Sequence, residues 1–168
     1  MGDSRTPVSI VPATAADVPL ILDLIRELAE YERMADQVEA TAGDLERALF
    51  GERPSAEAVI ARADGEAVGF ALFFHTFSTF VGRRGLYLED LYVRPASRGR
   101  GIGRRLLAHL AALALERGCG RFEWSVLNWN APAIAAYRRV GAAPMDDWTV
   151  YRLAGDSLRA LAGEASRE

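Results

Sequence analysis

Leu86 to Leu106 reads LYLEDLYVRPASRGRGIGRRL: an apolar run, a glycine-rich turn and the start of an amphipathic stretch. That order predicts a strand, a tight loop and a helix in immediate succession. Glycines at 99, 101 and 103 permit backbone conformations that a Cβ would forbid, and Arg98, Arg100, Arg104 and Arg105 surround the turn with positive charge. The first N–H groups of a helix have no intrahelical acceptor and lie at the positive end of its dipole. A pyrophosphate can therefore be held at this loop without a metal.

Other phosphate loops fit less well. No lysine followed by Ser or Thr closes the turn, which disfavours a P-loop nucleotidase. A dinucleotide fold would place G-x-G-x-x-G after the first strand of a βαβ unit, with an acid about twenty residues on. Here the loop lies past mid-chain, and Arg104 and Arg105 follow in place of a third glycine. Arg98-Gly99-Arg100-Gly101-Ile102-Gly103 instead resembles the R-G-x-G-I-G loop that binds the pyrophosphate of coenzyme A in the GNAT superfamily of acyl-CoA-dependent N-acetyltransferases.

Composition narrows the class. The chain has 168 residues, half of them hydrophobic, enough for one buried core. A single domain over 8–168, after a flexible N-terminus at 1–7, is the expectation. A net charge of -3 at pH 7 argues against a nucleic-acid partner and is compatible with a cationic substrate. The one cysteine, Cys119, excludes an intrachain disulfide framework and fits a reducing cytoplasm. A polar N-terminus without a long apolar run predicts neither a signal peptide nor a membrane span. His75 and His109 are isolated, and without an HExxH or CxxC motif no metal is expected.

Working outward from the loop, periodicity predicts a strand at 8–11 and a helix opened by Thr14 and Asp17 that carries Leu20, Ile21, Leu24, Ile25 and Leu28. Thr41 or Asp44 opens a second helix ended by Gly51. Strands at 57–62 and 67–75 flank an Asp64-Gly65 hairpin turn, and the strand at 86–93 is expected to be central. A helix at 101–117, with Leu106, Leu107, Leu110, Leu113 and Ala114 on its apolar side, stops at Gly118. A strand at 122–127, a helix at 131–139, a last strand at 149–153 and a terminal helix at 156–162 complete the reading. The fold class is α+β: a mixed, mostly antiparallel sheet flanked by helices.

A second constellation follows, Asn128-Trp129-Asn130-Ala131-Pro132 with Ile134, Tyr137 and Gly141. Asn130 suits an N-cap, Pro132 the first turn and Gly141 a C-terminal stop. On pattern alone, Tyr137 either fills a core beside Ile134 or presents its hydroxyl to a site. Taken with LYLEDLYVRPASRGRGIG, the N-W-N-x-P-x-I-x-x-Y-x-R-x-G-A run at 128–142, I-V-P-A-T-A-A-D-V at 10–18 and E-L-A-E-Y-E at 27–32 resemble the spermidine/spermine (diamine) acetyltransferase family, which includes thialysine acetyltransferases. The similarity runs from Val8 to Leu153.

That resemblance implies a GNAT-like sheet, acetyl-CoA as cosubstrate, a small amine acceptor and a homodimer, with Trp148 and Tyr151 either at the interface or in the core. By position, Leu91, Tyr92 and Val93 would offer backbone groups to the pantetheine arm. Arg98, Gly99, Arg100, Gly101, Ile102, Gly103 and Arg104 would hold the pyrophosphate, and Asn130 with the following turn through Ala133 would contact the coenzyme. Tyr137 matches the family's general acid, beside the coenzyme. Glu89 matches the acid that handles the substrate amine, Tyr31 and Glu32 line the acceptor end, and Asn128 and Trp129 adjoin it. Asn128 stands where the family usually carries an acid. Asp146 and Asp147 either replace it or form a solvated turn.

Chemistry supports the same roles. An alkylamine has a pKa of about 10.4, so it arrives as an ammonium that cannot attack a thioester until a proton is removed. Glu89, in an apolar strand, would accept that proton if reduced solvation raised its pKa. Strict alternation puts Asp90 on the other face, as a partner for backbone or arginine. Covalent catalysis by Cys119 is disfavoured, because it follows a helix C-terminus where the dipole opposes a thiolate. Direct transfer in a ternary complex is the preferred mechanism. A protein-lysine or N-terminal acetyltransferase, and a non-catalytic acyl-CoA-binding regulator, share the loop and stand as alternatives.

Overall fold

The computed structural model describes residues 7–165, so the flexible segment expected over 1–7 lies, apart from Pro7, outside the described residues. Two compact units divide the chain, Met1–Leu127 and Asn128–Glu168. In the first unit the elements are β1 (Val8–Pro12), α1 (Val18–Tyr31), α2 (Ala42–Phe50), β2 (Glu57–Ala63), β3 (Glu66–Ser78), β4 (Arg83–Val93), α3 (Ile102–Glu116) and β5 (Phe122–Trp124). They form a five-stranded sheet in the order β1-β2-β3-β4-β5, antiparallel except for the parallel β4–β5 pair. The α+β class is as expected. The centre of the sheet is β3, not the 86–93 strand, because a single strand, β5, lies beyond β4, whereas β1 and β2 lie on the other side of β3.

Local chemistry explains most boundaries. Before α1, the Asp17 carboxylate accepts the backbone N–H and the hydroxyl of Thr14, each at 2.8 Å. Thr41, not Asp44, caps α2: its Oγ1 accepts the Asp44 N–H at 3.2 Å, and the Asp44 carboxylate accepts the Thr41 N–H at 2.9 Å. The β2–β3 turn has positive φ at both Asp64 and Gly65, the backbone an Asp-Gly hairpin requires. At the end of α3, Cys119 N–H reaches the Ala114 carbonyl at 2.8 Å as Gly118 turns left-handed.

Both faces of the sheet are covered. Ile21, Leu24 and Leu28 of α1 and Leu45 and Leu49 of α2 pack with Ile60, Phe70, Leu72 and Tyr92. Successive strand residues point to opposite faces, so Ala61, Ala71 and Phe73 belong to the other side. There α3 lies against β3 and β4 and buries Ile102, Leu106, Leu107 and Leu110.

One irregularity positions the site. Leu72 pairs with Asp90 but the next residue, Phe73, pairs with Leu88, leaving Glu89 as the extra residue of a β-bulge. Cross-strand partners share a face. Leu88 therefore lies with Phe73, whereas Asp90 and Tyr92 lie with Leu72 and Phe70 on the α1 side. The bulge also accounts for a shortened strand. β5 pairs with Leu86, Tyr87 and Leu88 and stops at Trp124, not at 127, because β4 bends at the next position.

The second unit carries α4 (Ala131–Arg139) and α5 (Gly155–Ala162). The strand expected at 149–153 is absent: those residues have no ladder partner, and Val150 and Tyr151 are 85% and 92% exposed. An alternating pattern makes a strand only where another strand supplies its hydrogen bonds. No helix among the described residues is long and apolar enough to cross a membrane.

Candidate functional site

Beyond the bulge, no described strand pairs with the outer edge of β4. The Arg94 N–H bonds the Val68 carbonyl at 2.9 Å, which sets the alternation of the antiparallel ladder. Residues 90 and 92 turn their backbone groups toward β3, and Leu91 and Val93 turn theirs outward. Two N–H donors about 7 Å apart thus face the open edge, at the spacing of alternate strand residues. Tyr92, placed by the sequence with Leu91 and Val93, bonds inward and buries its ring.

The chain then runs through a short turn at Pro95–Ser97 into the arginine-glycine loop. Gly99 and Gly101 have φ of 76° and 75°, in the left-handed region, and a Cβ at either would meet nothing within 4 Å. Backbone conformation, not space, selects glycine there. Gly101 is the N-cap of α3 and has no side chain to cap it. The N–H groups of Ile102, Gly103 and Arg104 consequently open onto the loop, with exposed Arg100 and Arg104 beside them. This donor set fits a pyrophosphate.

Arg98 is directed elsewhere. Its Nε donates to the Val93 carbonyl at 2.9 Å, and its guanidinium carbon lies 4.6 Å from the centre of the Tyr31 ring and 5.6 Å from that of Tyr92. One helical turn earlier on α1, Glu27 takes both Nε and Nη2 of Arg94, at 2.8–3.1 Å. Glu27 and Tyr31, four apart on α1, thus meet Arg94 and Arg98, four apart in the chain. The sequence reading did not find this double clamp. The matching i, i+4 spacing on the helix was the signal.

Three carboxylates gather at the end of α1 and the bulge. Asp90, half-buried, is pushed up to about 6, first by burial and then by the charges of Glu89 and Glu32. Burial also raises the Glu32 carboxyl. Glu89, expected to be the desolvated acid, is exposed, because the bulge makes it the unpaired residue. The desolvated acid is Asp90, which strict alternation had set aside. Two adjacent acids inside an apolar strand, breaking its period of two, were the sequence signal for a bulge. Among the described residues, no group of three His, Cys, Asp or Glu side chains could hold a metal ion.

The remaining candidates belong to the second unit. Asn130 is buried and caps α4 by accepting the Ala133 N–H on Oδ1 at 3.3 Å. Tyr137 sits half-buried in the last turn of α4, its carbonyl accepting the N–H groups of Val140 and Ala142. Gly141, at a φ of 87°, ends the helix as expected. Asn128 and Trp129 are exposed, as are Asp146, Asp147 and Trp148.

Known proteins are similar to this chain in sequence and fold. The acetyltransferase (GNAT) family model matches residues 21–142. The chain is 39% identical to thialysine N-epsilon-acetyltransferase of Sus scrofa, over 94% of this chain and 98% of that one. It is 30% identical to L-ornithine N5-acetyltransferase NATA1 of Arabidopsis thaliana, over 89% and 85%. Among solved structures, the integron cassette protein VCH_CASS6 from the mobile metagenome of V. cholerae superposes with a TM-score of 0.78 at 27% identity, covering 94% of this chain and 99% of that one. A left-handed glycine loop on an uncapped helix, an open strand edge and a family match across most of the chain lead to one assignment: this protein is an acetyltransferase of the GNAT family.

Proposed function

We propose that residues 8–168 act as one catalytic domain that transfers an acetyl group from acetyl-CoA to a primary amine of a small polyamine, diamine or thialysine-like substrate, directly and in a ternary complex. The observation that carries this reading is the gathering of Glu32, Glu89 and Asp90 at the bulge, next to an open strand edge and one short turn from the arginine-glycine loop. The names of the thialysine and ornithine relatives support an amine at the end of a short aliphatic chain.

The N–H groups at 102–104, with Arg100 and Arg104, take the pyrophosphate, and the outward backbone groups of Leu91 and the N–H of Val93, whose carbonyl Arg98 holds, take the pantetheine and acyl arm. The Leu91 N–H is the donor for the developing oxyanion. The ammonium is drawn to the three carboxylates and passes a proton to Glu89 or Asp90, directly or through water; a carboxylate held near 6 is a stronger base than an ordinary one. The amine nitrogen then attacks the thioester carbonyl, forming the C–N bond. Collapse breaks the C–S bond: the departing thiolate takes a proton from the Tyr137 hydroxyl, and the second proton shed by the amine nitrogen as it becomes the amide restores that hydroxyl. Asn130 and Ala133, at the start of α4, add coenzyme contacts, and Tyr31, Asn128 and Trp129 border the acceptor. We place the enzyme in the cytoplasm, where its free Cys119 stays reduced, as a homodimer for which exposed Trp148 and Tyr151 offer apolar surface.

The test is release of free coenzyme A thiol from acetyl-CoA with spermidine, putrescine, thialysine, ornithine, lysine and a peptide bearing free amines, with Tyr137→Phe and Glu89→Gln alongside. Saturable turnover of one small amine, sharply reduced in both variants, is the expected result. Turnover of the peptide alone would transfer the activity to a protein acceptor, and full activity in either variant would remove that residue from the mechanism.

A further inference from the structure

The arginine that opens the coenzyme loop does not point into it. We propose that Arg98 is a positioning residue that couples the coenzyme loop to the acceptor end of α1, so that coenzyme A and the amine each strengthen the other's binding. The proposal rests on the acetyltransferase reading above and adds a property which that reading does not require.

The path is built from contacts, chain neighbours and charge. Gly99, left-handed at φ 76°, is bonded directly to Arg98, so the backbone that would wrap a phosphate continues straight into the residue that carries this side chain. Its Nε is held by the Val93 carbonyl at 2.9 Å, and its guanidinium lies over Tyr31 at 4.6 Å. Tyr31 is the last residue of α1, and the next residue is Glu32, whose charge acts on Asp90. The path thus leads from the pyrophosphate loop to the carboxylates that attract the amine.

Arg98 is exposed, so burial does not lock it in place. A cation over an exposed aromatic ring changes an equilibrium by about two- to fivefold, small enough for a ligand to shift. The neighbouring Arg94–Glu27 clamp has a different part. With its bidentate carboxylate and a 3.0 Å bond from Arg94 Nη1 to the Ala67 carbonyl, it anchors α1 against the sheet. What Arg98 adds is therefore local to Tyr31 and Tyr92, at the end of α1 that Glu32 follows. Coupling of this kind is reciprocal: if coenzyme tightens amine binding by a given factor, the amine tightens coenzyme binding by the same factor.

The experiment is calorimetric titration of the full chain with coenzyme A, with and without the panel amine of highest kcat/KM. Wild type is compared with Tyr31→Phe, Tyr31→Leu, Arg98→Gln, the Tyr31→Leu/Arg98→Gln double variant and Glu27→Gln. Wild type should bind coenzyme A more tightly when the amine is present. Tyr31→Phe, which keeps the ring face, should retain that factor. Tyr31→Leu and Arg98→Gln should each reduce it about two- to fivefold, and the double variant no further. Glu27→Gln should lower the melting temperature and leave the factor unchanged.

Absence of coupling in an active wild type, a Tyr31→Leu variant that keeps it, or losses that multiply in the double variant would each overturn the proposal and leave the acetyltransferase reading intact. A wild type that acetylates no amine of the panel would remove both.

Discussion

Asp90→Asn should stabilise the protein at neutral pH and do so progressively less in acid. Asp90 titrates at about 6 in the fold against an ordinary 3.8, because burial and the charges of Glu89 and Glu32 penalise its ionised form. At about 1.4 kcal/mol per tenfold, that gap sets an upper bound of about 3 kcal/mol on what the ionised carboxylate takes from stability. The sign follows from linkage: between the two values the native state holds the proton more tightly than the unfolded chain, so wild type gains stability as pH falls. Above about pH 6 the full penalty is present, and by about pH 4 most of it has gone. Other acids, such as Asp44 and Glu57, are shifted downward and act in the opposite sense, so the wild-type curve alone would mislead. The difference between wild type and Asp90→Asn cancels them. Urea unfolding from about pH 4 to about pH 8 should give a difference that grows by about 2–3 kcal/mol across the window. A flat difference would show that Asp90 is not desolvated by the bulge, and one that grows toward acid would show that it is held as a paired carboxylate.

Other expectations follow from single contacts. Gly101→Ala should cost about 1–2 kcal/mol by thermal melt and raise the KM for acetyl-CoA, since the left-handed φ of 75° is strained for alanine although nothing obstructs its Cβ; an unchanged KM would detach the loop from the coenzyme. Leu106→Ala, on the fully buried face of α3, should cost about 2–5 kcal/mol in urea unfolding. Thr41→Ala removes the capping oxygen of α2 and should cost about 1 kcal/mol. Glu57 takes both terminal nitrogens of Arg117, whose hydrogen bonds hold its carboxyl below the usual range. Glu57→Gln should therefore cost at most about 1 kcal/mol at neutral pH, and that cost should shrink as pH falls below about 4.5.

Features that depend only on neighbouring residues were legible in the chain's own order. The Thr14–Asp17 and Thr41–Asp44 helix starts, the Asp64-Gly65 turn, the Gly118 and Gly141 stops and the left-handed glycines at 99 and 101 are each a choice of φ and ψ, or a bond across a few residues, and all appear in the structure. The α+β class was readable for the same reason, since periodicity reports which side of an element is apolar. Whatever needed a distant partner was settled by packing and strand pairing. β5 ends at Trp124 because its neighbour bends there, and 149–153 is not a strand because nothing pairs with it. Arg98 turns to Tyr31, on a helix far away in the chain, and away from the loop it opens. Most consequential is the single extra residue at Glu89, which exchanged the surroundings of two adjacent acids and left Asp90 the desolvated one. Local propensity fixes a residue's backbone, but register against a partner strand sets its face, and the face sets solvation and hence protonation.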